Sequence, residues 1–195
     1  MTVNNNLVLI RQANVKDLER LFFECFYKDY ATVLVGGYSE PLYLPAGDDR
    51  RECQLQFRKD FFASALHEIA HWCIAGRERR KLVDFGYWYR PDGRTPAEQK
   101  AFELVEVRPQ ALEWVFSMAT GVCFQLSSDN LQAEEPASNG DFADAVYQQV
   151  LSYCAQGLPP RGELFARKLA AYYGLGDPVD SSFYDRQILS RRPLS

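Results

Sequence analysis

Both histidines of the chain lie in one short stretch, ALHEIAHW at residues 65–72, four positions apart. On an α-helix, residues at this spacing share a face, with Cβ atoms about 5–6 Å apart. His67 and His71 can therefore both direct a ring nitrogen at one metal ion. A single histidine on an apolar helix face is more often a hydrogen-bonded core residue. Two imidazoles and an acid in so apolar a stretch need polar partners, and an ion supplies them.

Glu68 directly follows the first histidine and completes the pattern HExxH. It is rotated by about 100° from His67 around the helix axis, so it is poorly placed to be a third ligand. It can still lie beside the ion. We expect Glu68 to be catalytic, by accepting a proton from metal-bound water, or to support the ligands from behind.

The third protein ligand is expected to be a carboxylate, because the chain has no other histidine and its five cysteines are isolated from one another. Glu103, Glu106 and Glu113 all follow within a helical segment. Glu106 is preferred, since apolar residues flank it and Gln110 would share its face if the helix continues. Glu103 is the second choice, and any of the three alone could instead be a surface acid.

Two histidines and one carboxylate do not by themselves define the reaction. The same set holds zinc in hydrolases and Fe(II) in oxygenases. The HExxH spacing alone favours a zinc peptidase in which Glu68 is the base. A third class is a binding module whose metal is structural, with all four coordination positions filled by protein.

The elements that must position these residues suggest an α+β fold, mostly helical with a small β-sheet. The histidines lie on an apolar stretch that predicts a zincin-like metal-binding helix ending near Gly76. Period-two runs predict strands, with a hairpin or two separate sheet strands for the first pair. Strands are expected at 32–35, 41–45 and 81–89, and helices at 14–29, 57–75, 96–107, 110–120, 141–156 and 161–173, with a kink or a new start near Pro109.

Composition indicates a single folded domain, since 47% of the 195 residues are hydrophobic and 25% are charged. We expect a metal-dependent catalytic domain at residues 1–174 and a C-terminal tail at 175–195. The net charge of −4 argues against nucleic acid as a direct partner. No leader, membrane span or cysteine framework is recognisable, so we expect a cytoplasmic protein with reduced thiols and no membrane partner.

Four sequence blocks resemble the bacterial elongation factor P hydroxylase family. The longest of them is far more specific than HExxH alone, and the resemblance extends over roughly residues 17–173. The blocks are YLPA (43–46), ALHEIAHWCIAGRERRKLVDFGYWYRPDGR (65–94), VEVRPQALEW (105–114) and SDNL (128–131).

This resemblance implies hydroxylation of a lysine of elongation factor P that already carries a β-lysyl group. It also implies a metal held by two histidines and a carboxylate, which by position are His67, His71 and Glu106. We therefore predict an iron-dependent protein-lysine hydroxylase whose partner is elongation factor P, with Fe(II) as the ion and zinc as the alternative.

A long cationic substrate side chain would favour a groove with aromatic walls and a few acids. The segment DFGYWY (84–89) could supply both, through Asp84 and Tyr87. The alternative is that its aromatic side chains belong to the core. The basic run RERRK (77–81) could receive an acidic translation factor, although such runs are usually solvated faces.

Overall fold

The computed structural model describes residues 12–84, 94–127 and 139–190, which contain five α-helices, three short strands and three short 3-10 helices. This arrangement confirms the predicted class, a mostly helical α+β domain with a small sheet, whereas the zincin-like label stays a prediction. The elements in chain order are α1 (Val15–Tyr30), β1 (Thr32–Tyr38), β2 (Leu42–Leu44), β3 (Cys53–Arg58), α2 (Phe62–Ile74), α3 (Pro96–Thr120), α4 (Asn139–Gln156) and α5 (Pro160–Tyr173).

The sheet has the order β1-β3-β2, with β3 parallel to β1 and antiparallel to β2. Of the two alternatives for β1 and β2, the hairpin was wrong and the pair of separate sheet strands was right. The strand between them was not predicted, although CQLQFR alternates apolar and polar residues as a half-buried strand does. Leu55 and Phe57 of β3 are almost fully buried, so this strand connects the sheet to the core.

The histidine-bearing helix α2 begins at Phe62 and ends at Ile74. The prediction started it five residues too early, because the apolar Phe57 belongs to β3 instead. Ala65, Leu66, Ile69 and Ala70 have no exposed surface, so α2 is the central helix of the core. Between Ala65 and Cys73, the two histidines are the half-buried residues, and the others are buried.

Helix α3 runs without interruption from Pro96 to Thr120 and contains Pro109. The helix begins with a capping box, in which the Thr95 side chain accepts from the backbone N–H of Glu98 and the Glu98 side chain accepts from the backbone N–H of Thr95. Of the two alternatives expected near Pro109, the new start was wrong, because one helix spans this position, and the kink stays a prediction. Pro109 costs the helix one hydrogen bond, but the turns that follow it are buried nearly all round, and this burial keeps the helix continuous.

The predicted strand at 81–89 is only partly inside the described residues. Its first residue, Lys81, belongs to a short 3-10 turn, and Asp84 forms a single antiparallel bridge with Tyr43. Residues 85–89, with Tyr87, lie outside the described part of the chain.

The segment after Gly174 packs against the helices. Tyr184 is 5% exposed, and its ring meets the Trp114 ring edge-on at a centroid distance of 5.2 Å. The division of the chain at Gly174 stays a prediction. Among the described residues, no helix is both long enough and apolar enough to cross a bilayer.

Candidate metal centre

The two histidine rings of α2 converge at their outer nitrogens. His67 Nε2 and His71 Nε2 are 3.1 Å apart. Successive turns of the helix place both side chains on one face, as their spacing predicts. The predicted pair is therefore assembled in the folded chain.

Glu106 of α3 reaches these nitrogens from the opposite side. Its Oε1 lies 3.2 Å from His71 Nε2, and its Oε2 lies 3.6 Å from His67 Nε2. Ligands bound about 2.1 Å from a common ion, at tetrahedral or octahedral angles, are roughly 3.0–3.4 Å apart. Two of the three separations fall in this range and the third, 3.6 Å, is slightly longer; the three residues can each offer one ligand atom, and these atoms lie within 4.8 Å of one another.

One oxygen of the Glu106 carboxylate is buried without a hydrogen-bond partner. Its side chain is 4% exposed, and its buried Oε2 has no hydrogen-bond donor. A buried carboxylate oxygen without a donor is costly, and a cation would satisfy it. The donor set of two imidazoles and one carboxylate therefore fits a divalent metal.

The other two candidate acids of α3 lie elsewhere. Glu103 accepts a hydrogen bond from Gln99, four residues before it, and is not part of the three-residue cluster. Glu113, two turns after Glu106, lies behind His67, with its Oε2 2.8 Å from His67 Nδ1. A carboxylate in this position fixes which ring nitrogen carries the proton and leaves Nε2 free to bind metal.

Burial and nearby charges shift the pKa values of the side chains in this centre in opposite directions. Burial would raise the pKa of Glu106, but the charges of His71 and His67 and hydrogen bonds from His71 and Gln110 lower it to about 2. Burial would lower the pKa of His67, but Glu113, Glu106 and Glu68 raise it to about 10. Three carboxyl groups thus lie around two imidazoles, and this set of side chains is suited to a bound cation.

Glu68 and Asp84 lie on one side of this centre, in a cleft that also exposes His71. Burial raises the pKa of Glu68, and nearby Glu106 and Asp84 add to that effect, while the two histidines oppose it. The Asp84 carboxylate accepts from Arg79 Nε at 2.5 Å. The structure thus brings Glu68 and Asp84 to the same cleft, while their roles stay predictions.

Comparison with known proteins shows which family of proteins this chain matches. The family model described as elongation factor P hydroxylase matches residues 21–183. The chain belongs to the elongation factor P hydroxylase family. It is also 47% identical over 171 residues to a protein of Haemophilus influenzae named elongation factor P lysine hydroxylase, and the match covers 88% of this chain and 96% of that protein.

Membership of the elongation factor P hydroxylase family confirms the resemblance seen in the sequence. The alternative, a zinc metallopeptidase, is not supported by these comparisons. The HExxH pattern is common to both interpretations, and the surrounding sequence distinguishes them.

In this member of the elongation factor P hydroxylase family, two arginines hold the end of the histidine helix. Arg161 of α5 donates to the carbonyls of Trp72, Cys73 and Ala75, and Arg80 also donates to that of Ala75. Cations suit a helix C-terminus because its last carbonyls lack partners and carry partial negative charge. The sequence did not predict these contacts, because Arg161 is 90 residues from His71 and no local pattern links them.

The basic run at residues 77–81 is largely engaged within the molecule. Arg79 pairs with Asp84, Arg80 donates to Ala75, and Lys81 pairs with Glu78. Docking of an acidic partner on this run stays a prediction.

Proposed function

We propose that this protein is a metal-dependent hydroxylase that acts on elongation factor P in the cytoplasm. Its substrate would be the lysine that carries a β-lysyl group. His67, His71 and Glu106 would hold the ion. The observation that carries the proposal is the cluster of these three side chains in a chain 47% identical to a protein named elongation factor P lysine hydroxylase.

Fe(II) is the proposed ion, because hydroxylation of an alkyl carbon is an oxidation. Zinc has no redox chemistry of its own. A centre with two histidines and one carboxylate is the usual set for non-haem Fe(II) oxygenases and leaves positions open. Bound there, Fe(II) would supply the redox chemistry that insertion of oxygen into a carbon–hydrogen bond requires.

The side chains of this site would prepare that chemistry before any substrate arrives. Glu106 stays ionised, because its pKa is held at about 2. Glu113 would hold the ring of His67 through Nδ1, so that Nε2 remains directed at the ion. The apolar body of α2 would keep bulk water from the inner side of the centre.

The test is anaerobic loading with Fe(II) or Zn(II), followed by intact mass measurement of β-lysylated elongation factor P with and without air. Excess Fe(II) can supply the two electrons that leave one oxygen atom in the product and the other in water. We expect a gain of one oxygen atom with iron and air only. Cleaved fragments formed with zinc and without air would contradict the proposal.

The matched pair Glu106→Gln and Glu103→Gln tests the ligand assignment. Each variant removes one charge from the same helix, but only Glu106 lies in the three-residue cluster. We expect Glu106→Gln to abolish oxygen insertion and Glu103→Gln to retain it. The reverse result would assign the third ligand to Glu103.

A further inference from the structure

A cleft beside the candidate metal centre is not explained by metal binding. Its space is about 390 Å³, including solvent at its mouth. Leu55, Trp72 and the ring of Tyr43 form apolar and aromatic walls, and Glu68, His71 and Asp84 supply its polar groups. His71 borders both the cleft and the ion site, so a molecule in the cleft would lie next to the ion.

Glu68 is the group in this cleft whose charge is unmatched. It is 9% exposed, and its carboxylate forms no hydrogen bond or ion pair with any part of the chain that the structure describes. The two histidines do not satisfy it, because their Nε2 atoms face Glu106 and the Nδ1 atom of His67 faces Glu113. A buried carboxylate in this state favours a cation that brings its own donors.

The other charged side chains of the cleft already have partners. Arg79 matches the charge of Asp84. Arg80 donates to the Ala75 carbonyl, and its guanidinium lies 5.9 Å from the centre of the Trp72 ring. Neither arginine hydrogen-bonds to Glu68, so the missing cation must come from outside the described chain.

The walls specify what kind of cation fits. Apolar and aromatic side chains favour methylene groups, whereas a hydrated metal ion would need further oxygen ligands. A primary ammonium on an alkyl chain meets both conditions, because its three donors can reach Glu68 while its methylenes contact the walls.

We infer that Glu68 binds an ammonium group of the β-lysyl extension carried by the lysine that this enzyme modifies, and thereby helps to hold that lysine side chain beside the ion site. The inference rests on the proposed function and makes Glu68 a substrate-binding residue instead of a proton-transfer base. It predicts that Glu68 contributes to recognition of the β-lysyl group, which carries the free amines of the modified side chain.

The test measures binding separately from turnover. Wild-type protein and Glu68→Gln are loaded with Zn(II), which prevents oxidation, and are titrated with β-lysylated and unmodified elongation factor P. We expect Glu68→Gln to weaken binding of the β-lysylated form by about tenfold or more, with little change for the unmodified form. Glu78→Gln is the matched control, because Glu78 lies in the neighbouring turn, is 80% exposed and is outside the cleft.

A second measurement needs no variant. n-Pentylamine should compete with β-lysylated elongation factor P for the Zn(II)-loaded wild-type protein, and 1-pentanol at the same concentration should not. Equal competition by the two, or undiminished affinity of Glu68→Gln for the β-lysylated form, would overturn the inference.

Oxygen insertion by Fe(II)-loaded wild-type protein is measured in parallel. Its absence would overturn the proposed function, and its presence beside either failed binding test would overturn only the role of Glu68.

Discussion

Two glutamates of α3 contact different atoms of the same imidazole pair, so we expect them to have different roles. Glu106 faces the outer nitrogens of His67 and His71, and Glu113 contacts the inner nitrogen of His67. They are seven residues apart, which is close to two helical turns, so both lie on the side of α3 that meets α2. One would bind the ion, and the other would hold one of its ligands.

Replacing Glu113 with glutamine should lower metal affinity by about 10- to 100-fold while the protein stays folded. The amide retains the size of the side chain but no longer has the charge that orients His67 and increases its basicity. Competition with a chromophoric chelator measures the change for Zn(II) or Fe(II). Glu103→Gln is the control on the same helix, and equal affinity of the two variants would argue against a positioning role for Glu113.

The histidine pair of the candidate metal centre could be predicted from the sequence, because its geometry depends on one helix. His67 and His71 need only the local periodicity of α2. The contact between Glu113 and His67 depends on how α3 crosses α2, which no local pattern specifies. Glu113 was therefore recognised as a candidate acid, but its contact with the inner nitrogen was not predicted.

At the scale of elements, α2 is fixed at its C-terminal end by side chains from outside it. Arg161 reaches three of its carbonyls, and its guanidinium lies 5.0 Å from the centre of the Trp72 ring. The candidate ion ligand His71 precedes Trp72 directly, so these contacts hold the turn from which its side chain projects.

Arg161→Ala should lower the free energy of unfolding by about 2–3 kcal/mol, because three carbonyls lose a charged donor at a half-buried helix end. Urea denaturation followed by circular dichroism measures the change. The control is Arg167→Ala on the same helix, where an exposed ion pair with Glu163 should contribute less than about 1 kcal/mol. Equal losses for the two variants would show that Arg161 does not stabilise the end of α2.

The elements that were predicted correctly are those whose signals are local. Asn14 and Thr95 cap helices where their side chains suggest it, and Gly174 ends α5 in the left-handed conformation. The continuity of α3 through Pro109 was not predictable in this way. It depends on burial of the following turns, which is a property of the packed molecule.

At the scale of the whole molecule, the chain beyond α5 contributes to the core. Tyr184 is 5% exposed and contacts Trp114 of α3, while Arg186 pairs with Asp144 of α4. The family match likewise extends to residue 183, beyond the end of α5. A boundary placed at Gly174 from the sequence rests on the helix stop, which gives no information about later packing.

Tyr184→Ala should destabilise the protein by about 3 kcal/mol, because a buried aromatic ring leaves a cavity against Trp114. Phe183→Ala is the control, since its neighbouring ring is 41% exposed and its loss should cost less than about 1 kcal/mol. Removal of residues 175–195 should lower the melting temperature at least as much as Tyr184→Ala. An unchanged melting temperature after this truncation would show that the segment is a dispensable tail.

The continuous course of α3 gives the centre an unusually simple construction. The two histidines come from α2, and Glu106 and Glu113, which contact them, both come from α3. All members of the three-residue cluster therefore lie on helices. A designer who grafted this chemistry onto another scaffold would need to reproduce one helix crossing and four side chains.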